Sequence, residues 1–185
     1  MIQIAVVYFS GSGTTAAFAK SVIEGAEAGG AEVLDLPILA DDITGGRWSN
    51  DEMAAQLDAA DAIILGTPTY MGDVSAQLKA FMDAMAPRWF TQAWKDKLAS
   101  GFTASSLAAG DKLNTFTSLT TFAMQMGMIW VGTGGHFSEG VNPNGFYHGA
   151  GATASAPDQL TDVDMETGRH LGKRVAFTAN RLSAT

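Results

Sequence analysis

Cysteine is absent from the 185-residue chain, which excludes disulfides, thiolate nucleophiles and cysteine-bound zinc or iron–sulfur clusters. Any redox chemistry then belongs to a bound organic cofactor. Basic residues are scarce: 11 Lys and Arg stand against 19 Asp and Glu, a formal charge of −8 that disfavours binding to nucleic acid or anionic lipid. Long apolar runs are missing too. None approaches the roughly 20 residues of a membrane span, and a first strand expected from residue 2 leaves no basic n-region or separate apolar h-region. The expected location is the cytoplasm. The chain has no internal repeat and no low-complexity tract. What it does have is 46% hydrophobic and 16% charged residues, suited to a single domain spanning 1–185 with a sizeable core.

Apolar runs of strand length recur at 2–8, 32–36, 62–65, 99–104 and 128–131. Helical patterns fill the intervals. Phe18, Val22 and Ala26 share one side of a helix over 15–28, and Met53 and Leu57 one side of a shorter helix over 51–60. A helix over 75–85 carries Leu78, Phe81, Met82 and Met85; another, over 112–126, carries Phe116, Leu119, Phe122 and Ala123. The last, over 164–182, turns Leu171, Val175 and Leu182 to the core, with Asp164 and Glu166 near its positive end and Arg181 near its negative one. Strands alternating with helices give an α/β three-layer sandwich around a parallel sheet covered on both faces. Five strands fit the flavodoxin-like order 2-1-3-4-5, in which a ligand sits beyond the carboxyl ends of the strands. Two stretches remain: 37–50, read as a solvated link, and 132–161, long enough to fold over the ligand edge or reach a neighbouring subunit.

The first strand runs into Ser10-Gly11-Ser12-Gly13-Thr14-Thr15 and then directly into a helix. Glycines leave room for a bulky anion, N–H groups point outward at the helix start, and four hydroxyls add neutral donors. No Lys or Arg lies in the loop, and GxGxxG lacks its third glycine, so a monophosphate fits better than a nucleotide triphosphate. The competing reading is an ordinary strand-to-helix turn with a hydroxyl N-cap. The third strand ends in Gly66-Thr67-Pro68-Thr69-Tyr70-Met71-Gly72, and the fourth in Thr103-Ala104-Ser105-Ser106-Leu107-Ala108-Ala109-Gly110. In a 2-1-3-4-5 sheet all three loops open on one edge, describing a pocket with an anion seat at one end and a flat slot at the other. Tyr70, Met71 and Leu107 are placed to pack on a planar ring.

Residues 10–15 resemble the phosphate loop of flavodoxin-like proteins. Gly66-Thr67-Pro68-Thr69, followed by Gly72, Gln77, Phe81 and Asp83, is similar to the WrbA family of NAD(P)H:quinone oxidoreductases. The similarity continues through Trp89, 97–99, 120–123 and Gly127-Met128. The resemblance implies a flavodoxin-like subunit, FMN as cofactor, NADH or NADPH as co-substrate, a quinone-like acceptor and a homodimeric or homotetrameric assembly with composite active sites. It implies that Ser10, Gly11, Ser12, Gly13, Thr14 and Thr15 hold the FMN phosphate. Pro68, Thr69, Tyr70, Met71 and Gly72 then meet the ring, and Ala104, Ser105, Ser106, Leu107, Ala108 and Ala109 line its other edge. Trp89 matches an aromatic at the family's substrate face. Three departures stand out: Tyr70-Met71 replaces Arg-Phe, Ser-Ser-Leu-Ala-Ala-Gly replaces a glycine-rich fourth loop, and no histidine stands near Met124 and Gln125.

Other residues read more plainly. His136, just past the fifth strand, is a candidate substrate contact, with His148 in the same segment, although solvated loop histidines are the commoner case. His170 is expected at the surface. Met124, Met126 and Met128 read as packing residues. The Asp35, Asp41 and Asp42 group lacks a histidine or further carboxylate at ligand spacing, so no metal is expected. No side chain is needed as nucleophile or essential acid, because the flavin carries the chemistry. The competing function is that of a flavodoxin-type carrier passing single electrons between protein partners.

Overall fold

The computed structural model describes residues 1–183; the last two residues of the 1–185 domain assignment lie outside them. The opening apolar run forms strand β1 (Gln3–Tyr8), buried from Ile4 onward. Helix α1 (Thr14–Ala28) follows and ends at Gly29 and Gly30, the latter in the left-handed region with Ala31 N–H closing back on the Ala26 carbonyl at 3.2 Å. Strand β2 (Glu32–Pro37) leads to a hairpin of β3 (Ile43–Thr44) and β4 (Arg47–Trp48), then to helix α2 (Asp51–Ala59), whose first turn is capped by Asn50. Strand β5 (Ala62–Tyr70) turns into the short β6 (Asp73–Val74), followed by helices α3 (Ala76–Ala84) and α4 (Ala86–Thr91). Strand β7 (Leu98–Ser105) precedes helix α5 (Lys112–Gln125). Strands β8 (Ile129–Trp130) and β9 (Ala150–Thr153) and helix α6 (Asp162–Ser183) complete the chain.

The sheet runs β2-β1-β5-β7, all parallel, with β8 and β9 both pairing with β7 at the far edge. This is the 2-1-3-4-5 pattern of a flavodoxin-like three-layer sandwich, with the fifth position shared by two short strands. Side chains alternate across it. Ala5, Val7, Ile63 and Leu65 meet α2, α3 and α5 through Leu57, Leu78, Phe81, Leu119 and Phe122. Val6, Ile64 and Phe102 meet α1 and α6 through Phe18, Val22, Leu171 and Val175 on the other face. The α1–α6 contact depends on missing side chains: a Cβ at Gly172 would lie 1.9 Å from the Val22 carbonyl oxygen, and one at Gly25 would lie 2.0 Å from that of Arg169.

Several expectations are corrected. The third strand does not stop at Leu65. It runs on to Tyr70, because the polar residues that resemble a loop are satisfied inside it: Thr67 Oγ1 accepts from Ser75 N–H at 3.0 Å, and Thr69 Oγ1 bonds Thr103 and Thr115 at 2.8 and 2.9 Å. The fourth strand likewise extends to Ser105. The fifth, expected at 128–131, is only two residues long, and the stretch 132–161 is not all loop. It leaves the sheet after Trp130 and returns as β9 beside Phe102 to Ser105. Gly149 is needed on the return, since a Cβ there would lie 2.1 Å from the Gly101 carbonyl oxygen. The link 37–50 carries the β3–β4 hairpin, whose Trp48 is buried edge-on against Phe81 with centroids 5.1 Å apart. Leu182 and Met124 face outward, 51% and 52% exposed, while Met126 and Met128 are core residues. His170 is half-buried, with its ring beside Gly135.

Candidate functional site

The loop after β1 is held open at both ends. Phe9 N–H donates to the Gly66 carbonyl at 3.1 Å, tying the loop to β5, and Ser10 Oγ accepts the Ala16 N–H at 3.1 Å. Between these anchors, the N–H groups of Ser12, Gly13, Thr14 and Thr15 have no partner among the described residues. Thr14 and Thr15 are buried and Ser12 is exposed, and all three line one small space, so these donors are available to a ligand placed there. Gly13 makes this shape possible as the helix N-cap at φ 91°, a conformation that L side chains rarely adopt. No acidic residue lies in the first turn of α1, so the positive end of the helix dipole is left for an incoming anion. Ser12 Oγ and Thr14 Oγ1 are 3.2 Å apart and can present a hydroxyl to the same space.

Across the cleft, β5 and β6 meet in a tight turn at Met71 and Gly72, at φ 48° and 81°. Helix α5 braces that turn: Asn114 Nδ2 donates to the Gly72 carbonyl at 2.9 Å, and Ser118 Oγ to Asp73 Oδ1 at 2.6 Å. Met71 is fully exposed and Leu107, on the loop after β7, is 71% exposed, so two apolar surfaces flank a slot. The slot is lined by Thr69, Met71, Gly72, Ser105 and Leu107, encloses about 420 Å³, and has Asp111 at its rim. A smaller space of about 110 Å³ adjoins it through Thr69, Ser105 and Ser106 and reaches Ser12, Thr14 and Thr15. The space beside Ser12, Thr14 and Thr15 thus adjoins the slot between Met71 and Leu107.

Of the sequence-derived candidates, Ser12, Thr14, Thr15, those at 68–72 and those at 104–107 line this cleft, while Ser10, Gly11, Gly13, Ala108 and Ala109 are not among its lining residues. Pro68, Thr69 and Ala104 are buried, and Thr69 spends its hydroxyl inside the sheet, so backbone and not side-chain polarity is what they offer. Tyr70 leans toward the phosphate loop; a Cβ at Gly11 would lie 2.3 Å from its hydroxyl. Trp89 is elsewhere. Helix α3 runs from Ser75, at the loop edge, back along the sheet. The segment after it is tied to the opposite edge by Trp94 Nε1 donating to Asp58 at 2.8 Å and by Lys97 Nζ donating to the Asp58 and Ala60 carbonyls. Trp89 therefore lines a separate groove with Met82, Met85, Phe122 and Met126. His136 also stands apart: its Nδ1 lies 2.7 Å from Ser138 Oγ, its ring stacks on Phe137, and the neighbouring Gly135 packs against α6. Among the described residues no group of three metal-binding side chains occurs.

Sequence reasoning missed a fourth wall and a buried cation. After β9 the chain folds over the start of α1, so that Ala154 and Ser155 line the anion end and Pro157 Cγ would lie 3.3 Å from a Cβ on Gly13. The alanine-rich sequence 150–156 carries no polarity signal that would mark it. Lys112 is fully buried, its Nζ donating to the Leu107 and Ala108 carbonyls, and burial pushes its pKa down to about 8 against the pull of Asp164. The signal was available: a lysine in the first turn of a helix opposes the dipole and needs another reason to be there.

Residues 4–140 match the family described as NADPH-dependent FMN reductase. The chain belongs to that family. Full-length relatives agree: the flavodoxin FldP of Pseudomonas aeruginosa is 34% identical with all of both chains covered. An NAD(P)H dehydrogenase (quinone) of Azorhizobium caulinodans is 33% identical, covering 98% of this chain and 99% of the relative. Among solved structures, the WrbA-like flavodoxin of Agrobacterium tumefaciens superposes with a TM-score of 0.79 at 41% identity, over 98% of this chain and 99% of that one. The family is described by FMN and NADPH, and the quinone dehydrogenase relative by NAD(P)H. The residues fit FMN on independent grounds: four adjacent unpaired N–H groups match a terminal phosphate, and a slot between apolar side chains matches a planar ring. No helix of the described residues is long and apolar enough to cross a membrane.

Proposed function

We propose that the protein binds FMN in this cleft and moves two electrons from NADH or NADPH to a quinone-like acceptor. The observation that carries the reading is the row of free N–H groups from Ser12 to Thr15 opening into the slot beside Met71 and Leu107. Bound FMN supplies the hydride and electron chemistry. Everything else falls to the chain. Residues 10–15 seat the phosphate through main-chain donors and hydroxyls, and Tyr70, Met71 and Gly72 border the ring on one side. Ser105, Ser106, Leu107, Ala108 and Ala109 border it on the other, with Pro68, Thr69 and Ala104 contributing backbone. The exposed mouth between Met71 and Leu107 lets donor and acceptor enter in turn. Because neither loop presents a histidine, cysteine or lysine to the slot, the chain supplies orientation and electrostatics rather than a nucleophile.

Trp89 belongs to this reading through assembly. It is 49% exposed and cannot reach the cleft of its own chain, so its substrate role requires a neighbouring subunit in a homodimer or homotetramer. His136, on the exposed segment after β8, is a substrate contact on the same condition. The cytoplasm is the proposed location. The test is an anaerobic titration of the FMN-loaded protein with NADPH and then NADH, followed by steady-state assay with benzoquinone. Bleaching by either nucleotide and turnover of the quinone are expected.

A second reading has one observation in its favour, the full-length relative named as a flavodoxin. A single-electron carrier would be left coloured by NADPH and NADH, would not turn over benzoquinone, and would exchange electrons with a reduced protein partner. The same titration separates the two.

A further inference from the structure

Lys112 is buried without exposure in the first turn of α5, where the helix dipole opposes a positive charge. Its ammonium folds back beneath the loop that precedes it. Nζ donates to the carbonyl oxygens of Leu107 and Ala108, and to Thr153 Oγ1 of β9 at 3.3 Å. The Phe146 ring lies 5.8 Å from Nζ, and Asp164 on α6 is the acidic group whose field favours its charge; Asp111, its chain neighbour, is exposed. One cation therefore joins the loop after β7 to the last strand and to the segment before it.

The consequence lies in the peptide planes. Every peptide bond among the described residues is trans, and in a trans peptide the carbonyl and the following N–H point in opposite directions. With the Leu107 and Ala108 carbonyls drawn inward to Nζ, the N–H groups of Ala108 and Ala109 face the exposed side of the loop. Neither has a partner among the described residues. Leu107 and Gly110, on either side of them, line the slot. Two adjacent free donors above a buried positive charge form an arrangement that accepts an electron-rich edge.

We propose that Lys112 is a positioning residue for the flavin, turning the Ala108 and Ala109 N–H groups toward the slot and placing a fixed positive charge beneath them. The inference rests on the FMN reading above. It assigns a role in the site to a side chain that is not among the residues lining the cleft.

The test compares wild type with Lys112→Met, which keeps the length of the stem and removes the charge. Calorimetry with FMN at pH 7 is expected to show Kd raised at least about tenfold, the worth of one charge-assisted bond. Spectroelectrochemistry is expected to show a lower midpoint potential for bound FMN, because a cation that favoured the more negative, reduced ligand is gone. In wild type, FMN affinity should fall as pH rises through the Lys112 titration near 8, since the ammonium is charged below that point and neutral above it; in the variant that step should vanish. Should the variant fail to fold, unaltered protein still decides: by NMR the Lys112 Nζ pKa must rise when FMN binds, and the Ala108 and Ala109 amide signals must move. A folded Lys112→Met with wild-type Kd, potential and pH profile would overturn the proposal, as would a Lys112 pKa indifferent to FMN. Wild-type protein that binds no FMN overturns the flavin reading itself, and is told apart because the unaltered chain already fails.

Discussion

Alanine at Gly13 separates the shape of the phosphate loop from its backbone cost. Gly13 and Gly30 stand at opposite ends of α1 with nearly the same left-handed backbone, φ 91° and 86°. A Cβ at Gly30 would meet nothing within 4 Å, and one at Gly13 would only approach Pro157 Cγ at 3.3 Å. Each Gly→Ala change forces an L residue into this region at about 1–2 kcal/mol. Each is therefore expected to lower the Tm of FMN-free protein by about 2–8 °C, taking 2–4 °C per kcal/mol for a domain of this size. Only Gly13 shapes the donor row. An N–H bond to a charged group contributes about 1.5–3 kcal/mol, so misdirecting one donor weakens FMN binding roughly 10- to 150-fold. Calorimetric unfolding gives the first quantity, and FMN titration of the same preparations gives the second. Gly13→Ala with lowered Tm but wild-type FMN affinity, indistinguishable from Gly30→Ala, would refute the phosphate assignment.

Three further outcomes follow from the packing. Gly172→Ala places a Cβ 1.9 Å from the Val22 carbonyl oxygen, which is backbone and cannot swing away, so urea unfolding should show a loss of at least about 1–3 kcal/mol. Thr69→Val leaves the buried Thr103 and Thr115 hydroxyls without the partner they hold at 2.8 and 2.9 Å, an expected loss of about 1–3 kcal/mol by the same assay; an unchanged midpoint would contradict the network. Asp58→Asn breaks a site where burial raises the carboxyl pKa but hydrogen bonds from Arg88 and Trp94 outweigh it and bring the pKa below 3.8. A carboxyl held low in the folded state stabilises while ionised, so the gap between wild type and variant should be present above pH 3.8 and close as pH falls below it. Because Asp58 is partly exposed, screening keeps that gap to roughly 0.2–1 kcal/mol, read from urea midpoints across pH 3 to 7.

The elements that sequence makes plain are those with a strong period. Phe18 and Val22, Met53 and Leu57, and Leu78 and Phe81 are buried as their spacing requires, because a helix of this length has only one way to hide them. The loops at 10–15 and 69–72 are legible because glycine, proline and clustered hydroxyls mark turns with a mechanism. What escapes has a weak local signal or depends on distant partners. Gly149-Ala150-Gly151-Ala152 carries no branched or aromatic side chain, so nothing in it announces a strand; β9 forms because those small residues fit beside Phe102 and under Phe116 and Phe146. Thr67 and Thr69 read as loop residues and become strand only once Ser75, Thr103 and Thr115 arrive to satisfy them. Trp89 stands out only through its match to an aromatic at the family's substrate face. Its distance from the cleft is not legible, since that depends on the direction in which α3 crosses the sheet.

Calorimetry of the FMN-free protein with FMN and, separately, with riboflavin tests the central assignment most directly, because the two ligands differ only in the phosphate that residues 10–15 are said to hold. FMN is expected to bind with one equivalent per chain and riboflavin at least about 100-fold more weakly, the worth of one to two charge-assisted N–H bonds. Equal affinity for the two, or no heat with either, would contradict the account.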